Sequence, residues 1–164
     1  MFKQEIPLMY PGDTDVEAVK AAMRDPFEYL MARKRDGLLK TDFTRPLGKI
    51  SYQVPCHRRV QNIGRKTEEM LRMVPDTQVF TNERCSGHAG TFGVKLPYHE
   101  QAMKIGKPLF KKMAEHPAGG APDYISSDCP LGGHPIEQGF ERNALGAPKL
   151  EHPLTLVRMA YGME

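Results

Sequence analysis

The sequence predicts an α/β fold: a small parallel sheet of three or more strands flanked by helices, with cysteine loops at the carboxyl ends of the strands. Three observations predict it. Short stretches with strand character run through Ile50–Val54, Thr77–Thr81 and Tyr124–Ile125. A run of helical pattern follows each of them, and strands alternating with helices give a parallel layered sheet with right-handed crossovers. A cysteine stands just beyond each strand, at Cys56, Cys85 and Cys129. In an open parallel sheet the carboxyl ends of the strands share one edge, where ligands bind. The fold class therefore predicts that thiols far apart in sequence meet at one rim.

Taken in order, residues 1–12 carry two prolines and a Pro-Gly pair and read as an extended arm. Asp13-Thr14-Asp15 supplies helix caps, and Val16, Val19, Ala22 and Met23 follow at helical spacing. Asp25-Pro26 starts a second helix, since proline suits a first turn. Phe27, Leu30 and Met31 form its inner stripe, and Gly37 closes it. Residues 38–48 are a loop. Ile50, Tyr52 and Val54 then alternate with polar residues as a strand does. Residues 60–73 read as one helix with Ile63, Met70, Leu71 and Met73 inward. The second strand is Thr77–Thr81. A glycine-bearing loop, Gly87 to Gly93, leads into a long helix with Ala102, Ile105, Leu109 and Met113 inward and Pro108 as a point of kinking or division. A third strand begins at Tyr124, and helices are expected over Glu137–Ala144 and Leu154–Tyr161. Residues 1–48 are thus an amino-terminal arm and helical cap, and residues 49–164 a cysteine-rich α/β domain, in one compact unit.

Composition narrows the function. With 40% hydrophobic and 26% charged residues, 164 residues suffice for a proper core. No apolar run is long enough to span a bilayer, and no signal peptide opens the chain, so a cytoplasmic location is the expectation. A net charge of +3 with dispersed lysines and arginines argues against nucleic acid. Three cysteines make no disulfide framework, which leaves metal or redox chemistry.

Zinc accepts three cysteines and one histidine, and a cubane iron–sulfur cluster takes four thiolates. Three thiols leave a fourth position to fill or to stay open. His88 is the favoured fourth ligand, three residues after Cys85 on a glycine-bearing loop. His134 ranks second and His57 third, because neighbours in an extended segment point oppositely. Arg58 and Arg59 put positive charge near Cys56, which favours a nucleophilic thiolate there. A phosphatase-like loop is excluded, since Asn62 stands where an arginine is required. The glycines at 87, 90 and 93 match neither a dinucleotide nor a P-loop pattern, and the simpler reading is a tight turn beneath the cysteines. Asp128 is read as a loop hydrogen-bonding residue, or as a partner to a histidine ligand. His99 and Glu100 open the long helix, where an acid suits the helix dipole.

Pro55-Cys56-His57-Arg58-Arg59, Cys85-Ser86-Gly87-His88-Ala89-Gly90 and Ser127-Asp128-Cys129-Pro130, in this order, resemble the cysteine-rich CCG module. That module occurs in the B subunit of heterodisulfide reductase, in the iron–sulfur protein of glycolate oxidase and in the C subunit of anaerobic glycerol-3-phosphate dehydrogenase. The segments around Tyr98-His99-Glu100 and His152–Gly162 are most similar to the last of these. The resemblance implies five thiols in the full module, where this chain has Ser86 and Gly132 at two of the five places. It also implies a longer parent protein, with ferredoxin-type motifs ahead of this module.

By this resemblance the chain is an electron-transfer module, a subunit or fragment of an oxidoreductase. Cys56, Cys85 and Cys129, with His88, would hold a [4Fe–4S] cluster, alternatively zinc. The implied partners are a flavoprotein dehydrogenase subunit or a ferredoxin-type iron–sulfur domain, with a link to the quinone pool. The implied location is cytoplasmic, peripheral at the inner face of the membrane through those partners. The alternative is a zinc-binding or metal-free interaction domain descended from such a module.

Overall fold

The computed structural model describes residues 1–163. The chain divides into two compact units, Met1–Leu39 and Lys40–Glu164.

The first unit is helical. α1 (Glu5–Met9) lies within the segment that its prolines and Pro-Gly pair predict to be an extended arm. Pro7 falls inside this helix, where it removes one N–H, yet Tyr10 still bonds back to the Ile6 carbonyl at 3.0 Å. α2 (Thr14–Ala22) starts where expected, because the Asp13 carboxylate accepts from the amides of Asp15 and Val16. α3 (Pro26–Arg35) opens with a full capping box between Asp25 and Glu28. Three basic residues close it, complementing the carbonyl end of its dipole.

The second unit is the α/β layer. β1 (Gly48–Gln53) pairs in parallel with β2 (Thr77–Asn82) and with β3 (Tyr124–Ser127), and β3 pairs with the two-residue β4 (Lys149–Leu150). The strand order is β2-β1-β3-β4 and every pairing is parallel. β4 was not foreseen. Two residues carry no alternation to read.

Three helical expectations need correction. Residues 60–73 form two short helices, α4 (Cys56–Gln61) and α5 (Lys66–Leu71). Asn62 takes the left-handed conformation at the end of α4 and Gly64 also has positive φ, so the helix stops and restarts. α6 (Leu96–Ala114) runs unbroken through Pro108. Its inner face includes Ala102, Leu109 and Met113, but Ile105 is half exposed and Gly106 and Phe110 take the buried places. α7 (Pro130–Arg142) starts seven residues earlier than the predicted 137, directly after Cys129. α8 (Pro153–Ala160) closes the unit.

The strands of the sheet's centre are covered on both faces, as parallel sheets require. Side chains alternate along β1. Ser51 faces α6 and donates to the Met113 carbonyl at 2.6 Å, whereas Tyr52 faces the α5 side. On the first face Met103, Leu109, Phe110, Met113, Ile125, Ile136 and Phe140 form one apolar cluster. α6 and α7 approach closely there because Gly139 sits against the Phe110 ring, where a Cβ would come within 2.1 Å of it. Among the described residues no helix is long and apolar enough to cross a membrane.

Candidate metal centre

Asn82, Gln53 and Ser127 are in-register neighbours at the carboxyl ends of β2, β1 and β3. Each is followed within three residues by a cysteine. Strand register thus carries three thiols, up to 73 residues apart in sequence, to one edge of the sheet. There Cys56, Cys85 and Cys129 line a single cavity of about 210 Å³, together with His57, His88, Ser86 and Gly132. The cavity is many times the space that one water molecule occupies. All three cysteines are free thiols. Cys56 and Cys85 are exposed and Cys129 is half-buried.

Each thiol is held differently. Cys56 is the first residue of α4 and Cys129 immediately precedes α7. Cys85 lies in the loop ahead of α6. Arg59 donates from Nη2 to Cys56 Sγ at 3.4 Å, and the backbone N–H of Gly87 donates to Cys85 Sγ at 3.3 Å. The Cys129 amide donates to Ser127 Oγ at 3.2 Å.

The glycine loop is shaped by contact. Gly87 has a φ of +87°, and a Cβ there would meet the Ala102 carbonyl oxygen at 2.0 Å. Gly93 bonds to the His88 carbonyl at 2.9 Å and also has no room for a side chain. His99 completes the loop through Nδ1, 2.9 Å from the Gly93 carbonyl. Glu100 pairs with Arg142 at 2.8 Å, which holds its carboxyl below the usual carboxylate range. Both residues near the start of α6 are therefore in structural use.

The histidines separate. His88 and His57 both line the cavity. His134 is a correction: it lies on exposed surface in α7, with Nδ1 3.6 Å from Glu137. The expectation against His57 assumed an extended segment. Because Cys56 and His57 open a helix, successive side chains are turned by about 100° and not opposed. Among the described residues no three His, Cys, Asp and Glu side chains converge closely enough to enclose one metal ion. The thiols surround a space, not a point.

Two buried supports brace the cysteine loops. Behind the rim, the Asp128 carboxylate is 6% exposed and receives hydrogen bonds from the hydroxyls of Thr67, at 3.0 Å, and Tyr52. Arg58 Nε lies 3.4 Å from the same carboxylate. This pair joins the Cys56 helix to the Cys129 loop. Burial, and then the neighbouring Asp128 charge, push the Tyr52 phenol far above its ordinary range, so it stays a donor. The second support is Gln53, on the cavity wall and 2% exposed. Its amide donates to the Val54 and Arg84 carbonyls at 2.9 and 3.2 Å and accepts from Ser127 Oγ at 2.7 Å. The sequence marked Asp128 as a loop hydrogen-bonding residue, whereas Gln53 gave no signal beyond a polar residue at the end of a strand pattern.

Ser86 and Gly132, the two places where the resembling module carries cysteine, are on the same wall. A Cβ built on Gly132 would lie 3.5 Å from Cys129 Cβ and 3.6 Å from Ser86 Oγ. The five positions that the resemblance would assign to thiols therefore line one cavity, and three of them carry sulfur.

This geometry defines a class: an open parallel α/β domain with a thiol-lined cavity at the carboxyl edge of its sheet. The chain is similar to the C subunit of anaerobic glycerol-3-phosphate dehydrogenase from Escherichia coli strain K12, with 31% identity over 113 residues. The same protein of Escherichia coli O157:H7 gives the same identity. The matched segment covers 68% of this chain and 26% of each relative, so the chain spans about a quarter of their length. No family model matches the chain. No solved structure matches it.

Proposed function

We propose that Cys56, Cys85 and Cys129 hold an iron–sulfur cluster, and that the chain is a cluster-bearing electron-transfer module of the CCG type. The observation that carries this reading is the single cavity lined by all three thiols. Soft thiolates select iron–sulfur clusters or zinc. Zinc requires its ligands within about 2.0–2.3 Å of one point. A polynuclear group spreads its ligands over several metal atoms, which suits thiols arranged around a cavity better than around a single ion. His88 is the proposed fourth ligand, with His57, which lines the same cavity, the competing candidate.

When bound, such a cluster supplies one-electron transfer at a potential set by charge, burial and hydrogen bonds to sulfur. The chain's own residues provide those settings. Arg59 brings positive charge to Cys56, the Gly87 N–H points at the Cys85 sulfur, and the first turn of α7 presents its amide end beside Cys129. All three favour the more reduced, more negative state. The similarity to one subunit of a dehydrogenase supports a partner subunit; the proposed arrangement has a flavoprotein as electron donor and a quinone or second cluster as acceptor, on the cytoplasmic side of the membrane.

Purification without oxygen, followed by iron, sulfide and zinc analysis, tests the reading. About four iron and four acid-labile sulfide per chain are expected. About one zinc per chain, or no metal after reconstitution with iron and sulfide, would overturn it in favour of a structural or interaction domain.

A further inference from the structure

We propose that Gln53 is a positioning residue, whose one side-chain amide fixes the three cysteine loops relative to one another. It occupies the middle of the three in-register strand ends, with Asn82 on one side and Ser127 on the other. A side-chain amide has two N–H donors in one plane and one oxygen acceptor. All three functions are used, and each goes to a different loop. One N–H holds the Val54 carbonyl, two residues before Cys56. The other holds the Arg84 carbonyl, one residue before Cys85. The oxygen receives the Ser127 hydroxyl, whose own oxygen receives the Cys129 amide. Every thiol thus lies within two residues of a group bonded to Gln53 or to its relay Ser127.

The burial of Gln53 makes this arrangement specific. In a water-excluded site an unmade hydrogen bond is not replaced by solvent, so the amide rewards one loop arrangement over others. No other residue type supplies two donors and an acceptor at this reach, apart from a shorter asparagine. Glutamate keeps the acceptor for Ser127 but loses both donors, and leucine keeps only the volume. Gln53 also stands on the cavity wall, where its Oε1 is 3.7 Å from the position a Cβ on Gly132 would take. It needs no contact with a bound group to act. It sets where the sulfurs wait for one.

The test uses the reduced full chain without metal and dibromobimane, which becomes fluorescent when both of its arms are taken by neighbouring thiols. Wild type, Gln53→Glu, Gln53→Leu and the core variant Leu156→Ala are compared under conditions where all are folded. Bridging in Gln53→Leu, which loses all three hydrogen bonds, should fall by on the order of tenfold or more, since a single net hydrogen bond already represents about fivefold. Gln53→Glu should fall less, and its bridged peptides should retain Cys129 pairs preferentially. Leu156→Ala lowers stability without touching the loops and should bridge like wild type, as should single-site alkylation rates in every variant. Equal bridging in wild type and Gln53→Leu, or equal loss in Leu156→Ala, would overturn the proposal. The inference extends the cluster reading in one further arm: after reconstitution, iron retained by Gln53→Leu should be a small fraction of that in wild type. If wild type retains no iron, the cluster reading fails while the bridging result still decides the role of Gln53.

Discussion

The hydroxyl of Ser127 donates to the side-chain oxygen of Gln53 at 2.7 Å, joining the carboxyl ends of β3 and β1 where the two residues stand in register. The same hydroxyl oxygen accepts the Cys129 amide. Ser127→Ala therefore leaves two buried groups without partners. At roughly 1–3 kcal/mol each, the expected loss is about 2–6 kcal/mol. Urea denaturation of the metal-free chain measures it, and a loss below about 0.5 kcal/mol would show that the hydrogen bond contributes little.

Gly87 and Gly90 share a loop and a positive φ, but only Gly87 is packed. A Cβ at Gly90 meets nothing within 4 Å, whereas one at Gly87 meets the Ala102 carbonyl at 2.0 Å. Gly90→Ala should cost only the left-handed penalty of about 1–2 kcal/mol. Gly87→Ala adds overpacking against the α6 backbone, for a total of about 2–5 kcal/mol. The two midpoints, measured side by side, should differ clearly. Equal midpoints would mean that the loop does not seat on α6 as described.

Gly132 offers the opposite case. The nearest atoms to an added Cβ are at 3.5–3.7 Å, an ordinary contact distance. Gly132→Cys should therefore fold with stability within about 1 kcal/mol of wild type, the added crowding being offset by better helix propensity. Combined with Ser86→Cys it restores thiols at all five module positions. Iron bound after anaerobic reconstitution should rise, and the visible absorption of the bound group should change. An unchanged spectrum with five titratable thiols would separate the cavity from the cluster.

His116 is 7% exposed, packs edge-on against Phe80 with ring centres 5.9 Å apart, and has its pKa lowered by burial. The Gln78 backbone partly opposes the shift. With the folded value below the ordinary 6.5, the unfolded chain binds more protons between the two, so stability rises with pH across that window. The histidine's contribution is complete above about pH 6.5 and is lost as pH falls toward the depressed folded value. His116→Phe should flatten the stability profile between about pH 7 and 5, as read by urea midpoints at each pH. Parallel profiles for the two proteins would refute the assignment.

Much of the fold was legible because local signals agreed. Alternation at Ile50 and Tyr52, caps at Asp13 and Asp25, and turn residues between them gave the layered α/β order and the three cysteine positions. The misplaced elements have specific causes. The predicted helix over 137–144 starts too late because α7 already runs through Pro130, Gly132, Gly133 and Pro135, where its glycines allow close packing: a Cβ on Gly133 would lie 3.2 Å from the Leu150 side chain. The single helix predicted over 60–73 divided because periodicity does not report that Asn62 has crossed to the left-handed region.

The sequence alone determined which chemistry the chain can support, since side-chain identity decides that three thiols and three nearby histidines are metal donors. It also determined that these thiols follow strands, because strand and turn preferences act over a few residues. Only the tertiary structure decided that the thiols share a cavity, that His88 and His57 belong to it and His134 does not, and that Gln53 holds the loops together. Those facts depend on strand register and on hydrogen bonds between residues 31 and 74 apart, and no local pattern encodes which distant carbonyl an amide will find.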